Sequence, residues 1–177
     1  MESGDKQYKV GGERILKEGV WVYNERTGKK CLTIPNLTFT YNKLPLITTK
    51  QVFYKTAINE LLGYIKGFTS AADFRSINCK TWDSNSNKTQ AWLGNPIRKG
   101  VDDMGKVYGA VAKNFGGINL IQKVYNNLKN HQDDRGEIIT FWKPDDFDKG
   151  CLRPCMFQHH FTVLDGHLYL TSYQRSC

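Results

Sequence analysis

The stretch that decides the fold is Pro154-Cys155-Met156-Phe157-Gln158-His159-His160-Phe161-Thr162-Val163-Leu164-Asp165-Gly166-His167-Leu168-Tyr169-Leu170-Thr171-Ser172-Tyr173-Gln174-Arg175. Apolar and polar residues alternate around Asp165-Gly166, and an Asp-Gly pair readily takes the positive φ angles of a tight hairpin turn. The spacing predicts two antiparallel arms, 157–164 and 167–173. Cys155 lies ten residues before Asp165 and Arg175 nine after Gly166, so pairing brings thiol and guanidinium nearly opposite each other. A cation there would favour the thiolate and hold a phosphate, which is what a nucleophilic cysteine acting on a nucleotide needs. The plainer alternatives, an inert core thiol and a surface charge, stay open on this reading.

Upstream of the hairpin, Ile138-Ile139-Thr140-Phe141-Trp142 reads as a buried strand closed by Pro144. Ile118, Ile121, Val124, Tyr125 and Leu128 share one face of a helix that ends in the polar run from Asn130 to Asp134. From Lys50 to Lys66, Val52, Phe53, Thr56, Ile58, Leu61, Leu62 and Ile65 recur at helical spacing, and Gly67 supplies the stop. That helix is apolar over much of its circumference and is expected to be central. Glu60 falls among its apolar residues, where burial would suit it to proton transfer, or it occupies a narrow wet face.

A short helix is expected from Ser70 to Ile77, with Ser70 as cap and Asp73 three residues on. The polar segment from Asp83 to Asp103 reads as a long loop anchored by Trp82 and Trp92, and loops of that length are usually functional. Nearer the N-terminus, residues 8–22 suggest a loosely amphipathic helix interrupted at Gly11-Gly12, and Cys31 to Phe39 an extended run broken at Pro35. Strands and helices mix without strict βαβ alternation, so the expected class is α+β, with helices packed on a mixed or mainly antiparallel sheet.

Composition bounds the function. The 177 residues are 40% hydrophobic and 12% aromatic, enough for one domain with a core and too apolar for a disordered chain. No apolar run approaches the roughly 18 residues of a spanning helix, and the polar Met1-Glu2-Ser3-Gly4-Asp5-Lys6 resembles neither a secretory nor a transit signal. A cytoplasmic protein with no membrane contact is expected. The five cysteines, Cys31, Cys79, Cys151, Cys155 and Cys177, lack framework spacing and are read as free thiols. Cys151, Cys155, His159, His160 and His167 cluster without zinc spacing, so no metal is expected. Gly116-Gly117 lacks the spacing of a phosphate-cradling loop. The net charge of +8 suits a nucleic-acid binder or an enzyme that steers phosphorylated substrates, but the scattered basic residues argue against nucleic acid. The chain stops at Cys177 directly after a strand, an end that looks cut.

Several segments then carry a resemblance: Arg26-Thr27-Gly28, Leu44-Pro45-Leu46-Ile47-Thr48-Thr49-Lys50, Asn59-Glu60-Leu61-Leu62, Lys66-Gly67, Lys80-Thr81-Trp82-Asp83, Asp102-Asp103-Met104-Gly105-Lys106-Val107-Tyr108-Gly109, Pro154-Cys155 and Tyr173-Gln174-Arg175-Ser176-Cys177. In this order, from about Tyr8 to Cys177, the chain resembles the thymidylate synthase family. The resemblance implies a family-like fold with one sheet face forming a homodimer interface, and a chain lacking the family's C-terminal part. It also implies transfer of a one-carbon unit from methylenetetrahydrofolate, as cosubstrate, to carbon 5 of dUMP, giving dTMP and dihydrofolate. On that basis Cys155 would be the nucleophile, Glu60 would organise proton movement and Tyr108 would assist proton removal. Arg26, Arg175 and Ser176 would bind the nucleotide phosphate with Gln174 beside them, Arg135 would reach the partner subunit's phosphate, and Lys50 and Trp82 would line the folate side.

Gly136, Met156, Arg153 and Ala110-Val111-Ala112-Lys113 depart from the family's usual residues. They keep two alternatives in view: a dUMP or dCMP hydroxymethylase with the same thiol and folate chemistry, and a non-catalytic nucleotide- or RNA-binding remnant.

Overall fold

A computed structural model describes residues 4–25, 28–130 and 135–175. The chain divides into two compact units, Met1–Phe53 and Tyr54–Cys177.

In the first unit, helix α1 (Gly4–Glu18) precedes an antiparallel pair, β1 (Val20–Asn24) and β2 (Lys29–Thr33), with Val20 opposite Thr33 and Asn24 opposite Lys29. The helix expected over 8–22 therefore starts earlier and stops sooner. Its last turn closes where the Gly19 amide donates to the Ile15 carbonyl at 2.9 Å, and the β-branched Val20 and Val22 pass to the strand. The extended run from Cys31 is strand only as far as Thr33. Asp5 ties α1 to a distant segment, accepting the Thr48 amide at 2.6 Å and the Thr49 amide at 3.2 Å. These donors, with the Thr48 hydroxyl foremost, hold its carboxyl below the ordinary range.

The second unit contains α2 (Tyr54–Lys66), α3 (Ala71–Ser76), α4 (Asp83–Lys88), α5 (Gln90–Leu93), α6 (Gly109–Ala112) and α7 (Leu120–Lys129), then β3 (Ile138–Thr140), β4 (Met156–Leu164) and β5 (His167–Gln174). The strands form one antiparallel sheet in the order β3-β4-β5. The class is α+β, with small antiparallel sheets and helices.

Aromatic residues dominate the core of this unit: Tyr64, Phe74, Trp82, Trp92, Tyr108 and Phe141 are buried together with Met104, Val107, Cys79 and Cys151. Ser70 caps α3 by accepting the Ala72 amide at 3.2 Å.

Two expectations need correction. The segment 83–103 is not simply a loop, because it holds α4 and α5. Arg75 binds Asp83 at 2.6 Å and Asp102 at 2.5 Å, Asn87 donates to Asp102 at 2.8 Å, and the buried Trp92 indole donates to the Asp103 carbonyl at 2.6 Å. Long-range polar bonds thus stabilise helical turns that have no apolar periodicity. Helix α2 is not buried all round. Only Gly63 and Tyr64 are buried, while Ile58, Leu61, Leu62 and Ile65 keep 45–54% of their surface exposed.

Candidate active site

The hairpin sets the site. Asp165 and Gly166 have φ of 48° and 71°, the pair of left-handed conformations that the tight turn demands. The register runs without a break from Leu164 opposite His167 to Gln158 opposite Tyr173, then shifts so that Met156 faces Gln174. Phe157 is the extra residue, and this bulge absorbs the ten-against-nine mismatch between the arms. Beyond it the Arg175 amide donates to the Cys155 carbonyl at 2.7 Å.

The Arg175 guanidinium folds back over the segment that carries the thiol. Nε donates to the Pro154 carbonyl at 3.2 Å, Nη2 to the Arg153 carbonyl at 3.4 Å, and Nη2 lies 3.8 Å from Cys155 Sγ. The same cation sits 5.5 Å from the centre of the Trp142 ring, a stacking partner that narrows its rotamers. Cys155 itself is half-buried and is a free thiol, as are Cys31, Cys79 and Cys151; Cys177 lies outside the described residues.

Tyr108 closes the other side. Its hydroxyl accepts the Cys155 amide at 2.8 Å, and its ring stacks on Tyr64 with centroids 4.8 Å apart. Burial pushes its phenol up to about 12, so it is held as a neutral hydroxyl at physiological pH. Tyr108 has φ 39° and ψ −105°, an unusual conformation for a side-chain-bearing residue and one that concentrates at functional sites. The next residue marks a close approach of α6 to α2, since a Cβ on Gly109 would lie 1.9 Å from the Tyr64 carbonyl oxygen.

Glu60 stands one turn before Tyr64 on α2 and accepts the Thr81 hydroxyl at 2.5 Å. Burial first, and then the adjacent Glu60 carboxylate, hold the Tyr64 phenol well above its ordinary range. An open depression nearby is lined by Thr56, Asn78, Lys80 and Thr81.

The remaining expected residues are placed as follows. Trp82 is in the aromatic core, 3% exposed, and its indole nitrogen has no hydrogen-bond partner among the described residues. Gln174 is exposed opposite Met156. Arg135 is exposed, with φ 62°. Lys50 belongs to the first unit, where it donates to the Tyr8 hydroxyl at 3.1 Å. Arg26 and Ser176 lie outside the described residues. Sequence reasoning missed Thr81 as the partner of Glu60, and Trp142 as the platform under Arg175, because each contact joins segments with no shared periodicity. Among the described residues no group of three His, Cys, Asp or Glu could hold a metal ion, and no helix is long and apolar enough to cross a membrane.

The whole arrangement falls within one match: the model of the family described as Thymidylate synthase covers residues 6–177. The chain belongs to the thymidylate synthase family. It is similar to the thymidylate synthase of Idiomarina loihiensis, 55% identical over 97% of this chain and 64% of the relative. Those of Vibrio cholerae and Shewanella sediminis are 55% and 54% identical over the same shares. The chain thus spans about 64% of the length of the curated relatives it matches. Within this family frame the thiol, guanidinium and phenol around Cys155 are the candidate active site.

Proposed function

We propose that the protein transfers a one-carbon unit from methylenetetrahydrofolate to carbon 5 of dUMP, giving dTMP and dihydrofolate. The observation that carries this reading is a half-buried thiol with a guanidinium at 3.8 Å and a phenol fixed against its backbone at 2.8 Å, in a chain 52–55% identical to proteins named thymidylate synthase.

In this reading the Cys155 thiolate adds to ring carbon 6, and the electron pair released onto carbon 5 makes that carbon the nucleophile. Methylenetetrahydrofolate supplies the methylene group and the reducing hydride. Loss of the carbon 5 proton toward the Tyr108 side would release the transferred carbon from the folate nitrogen, which leaves with the carbon–nitrogen pair, and hydride arrival at that carbon would return the carbon–sulfur pair to Cys155. Arg175, with Arg26, Ser176 and Gln174, holds the nucleotide phosphate, a role that suits a forked guanidinium. Glu60 moves protons at the pyrimidine and folate, and Lys50 and Trp82 line the folate side.

The reading also makes the protein a cytoplasmic homodimer in which Arg135 reaches the partner's nucleotide. Support comes from β5, where Leu168 and Leu170 on one side of the strand and Tyr169 and Tyr173 on the other remain 54–60% exposed, apolar surface suited to a second copy.

The test is intact mass after mixing the protein with 5-fluoro-dUMP and methylenetetrahydrofolate. A covalent adduct of both ligands on Cys155 is expected. Cys155→Ser should remove the adduct and lower turnover by at least about 10³-fold while leaving nucleotide binding intact. Turnover retained in that variant would sink the thiol mechanism, and an adduct formed only with the dCMP analogue would move the substrate from uracil to cytosine.

A further inference from the structure

We propose that Thr81 is a positioning residue for Glu60, and that the buried Cys79 thiol donates to the Thr81 hydroxyl oxygen and so anchors it. The inference rests on the reading of Glu60 as the group that moves protons.

A threonine hydroxyl has one proton to give. An ionised carboxylate can only accept, so the contact of 2.5 Å from Thr81 Oγ1 to Glu60 Oε1 commits that proton to Glu60. Cys79 Sγ lies 3.2 Å from the same hydroxyl oxygen. With the hydroxyl proton already given away, the favourable arrangement of this second contact is the thiol S–H donating into the oxygen's lone pair. The bonds then run one way, from Cys79 S–H to Thr81 O–H to Glu60, and each polarises the next.

Position makes the chain effective. Cys79 is fully buried, and its amide donates to the Phe74 carbonyl at 2.9 Å, so the sulfur has a fixed location. Thr81 is exposed and lines the open depression with Thr56, Asn78 and Lys80. The chain therefore leads from a rigid core atom to a carboxylate beside an accessible surface. A glutamate has three side-chain torsions, and holding it in one rotamer costs conformational entropy. Thr81 offsets that cost before any ligand arrives by binding Glu60 Oε1.

The experiment compares Thr81→Val with Thr81→Ser in the full chain, by steady-state kinetics and by the infrared S–H stretch of Cys79, assigned by difference with Cys79→Ala. Thr81→Val should lower kcat by about ten-fold with nucleotide KM within about two-fold, and Thr81→Ser should restore kcat to within about two-fold of wild type. The Cys79 S–H band should move to higher frequency in Thr81→Val and hold its place in Thr81→Ser. A wild-type kcat in Thr81→Val overturns the positioning role, and an unmoved S–H band in that variant overturns the direction of the chain. A wild-type protein without turnover counts against the proposed function instead, and the S–H band then decides the hydrogen-bond chain by itself.

Discussion

Among the described residues, β1–β2 and β4–β5 are antiparallel pairs built by the same alternation rule, and they differ in what stands behind them. In β1–β2, Val20, Trp21, Val22 and Tyr23 are 49–67% exposed, so the pair is held by backbone hydrogen bonds with little apolar packing. In β4–β5 the base of the hairpin is backed by β3 and by the aromatic core, with Phe141 packed edge-on to His159 at 5.3 Å and to Tyr108 at 5.8 Å. Among the described residues, the second carries a thiol and a guanidinium in defined contact. An isolated two-stranded ribbon is marginal in water, and it cannot hold reactive groups to the fraction of an ångström that chemistry requires.

The contrast can be broken most severely from behind the second hairpin. Gly109→Ala would push a methyl group into the Tyr64 carbonyl, 1.9 Å away. It should lower the unfolding free energy by about 3 kcal/mol in urea titrations; an unchanged midpoint would show that α6 does not bear on α2 as described.

A smaller effect sharpens the contrast between the half-buried Cys155 and the buried Cys151. Burial pushes the Cys151 thiol from 9.0 up to about 12, so the unfolded chain ionises first as pH rises. The stability contributed by the neutral buried thiol is complete below pH 9 and is lost between pH 9 and 12. Cys151→Ala should make that alkaline decline shallower without abolishing it, because Tyr108 is also displaced upward by burial. Identical pH slopes for variant and wild type, measured by denaturant unfolding, would contradict this.

The least effect belongs to the first hairpin. Trp21 is 67% exposed, and Trp21→Thr should change stability by less than about 0.5 kcal/mol. A loss several times larger would mean that β1 is backed by apolar surface after all.

Much of the fold was legible in the sequence. The Asp165-Gly166 turn, the arms on either side and the facing of Cys155 and Arg175 followed from a period-2 pattern and a local turn rule. The Ser70 cap and the helical run ending at Gly67 followed from equally local chemistry. Helices α4 and α5 were not legible, since Arg75, Asp83, Asn87 and Asp102 stabilise them through bonds between segments up to 27 residues apart. The exposed flank of α2 was misjudged because apolar periodicity reports which residues could be buried, not how many neighbours arrive to bury them. In the site, Cys155, Arg175 and Glu60 stood out by residue type and position, whereas Tyr108 was reached only through resemblance. Its strained backbone and stacking on Tyr64 have no local signature.

The sequence alone determined the hairpin, its turn and the pairing of thiol with guanidinium, because alternation and Asp-Gly geometry act over a few residues. Tertiary structure decided what those groups touch. Trp142 lies under Arg175, Tyr108 receives the Cys155 amide, and Thr81 with Cys79 joins Glu60. Each contact depends on segments brought together by closure of one aromatic core, where burial and close packing rather than local propensity select the arrangement.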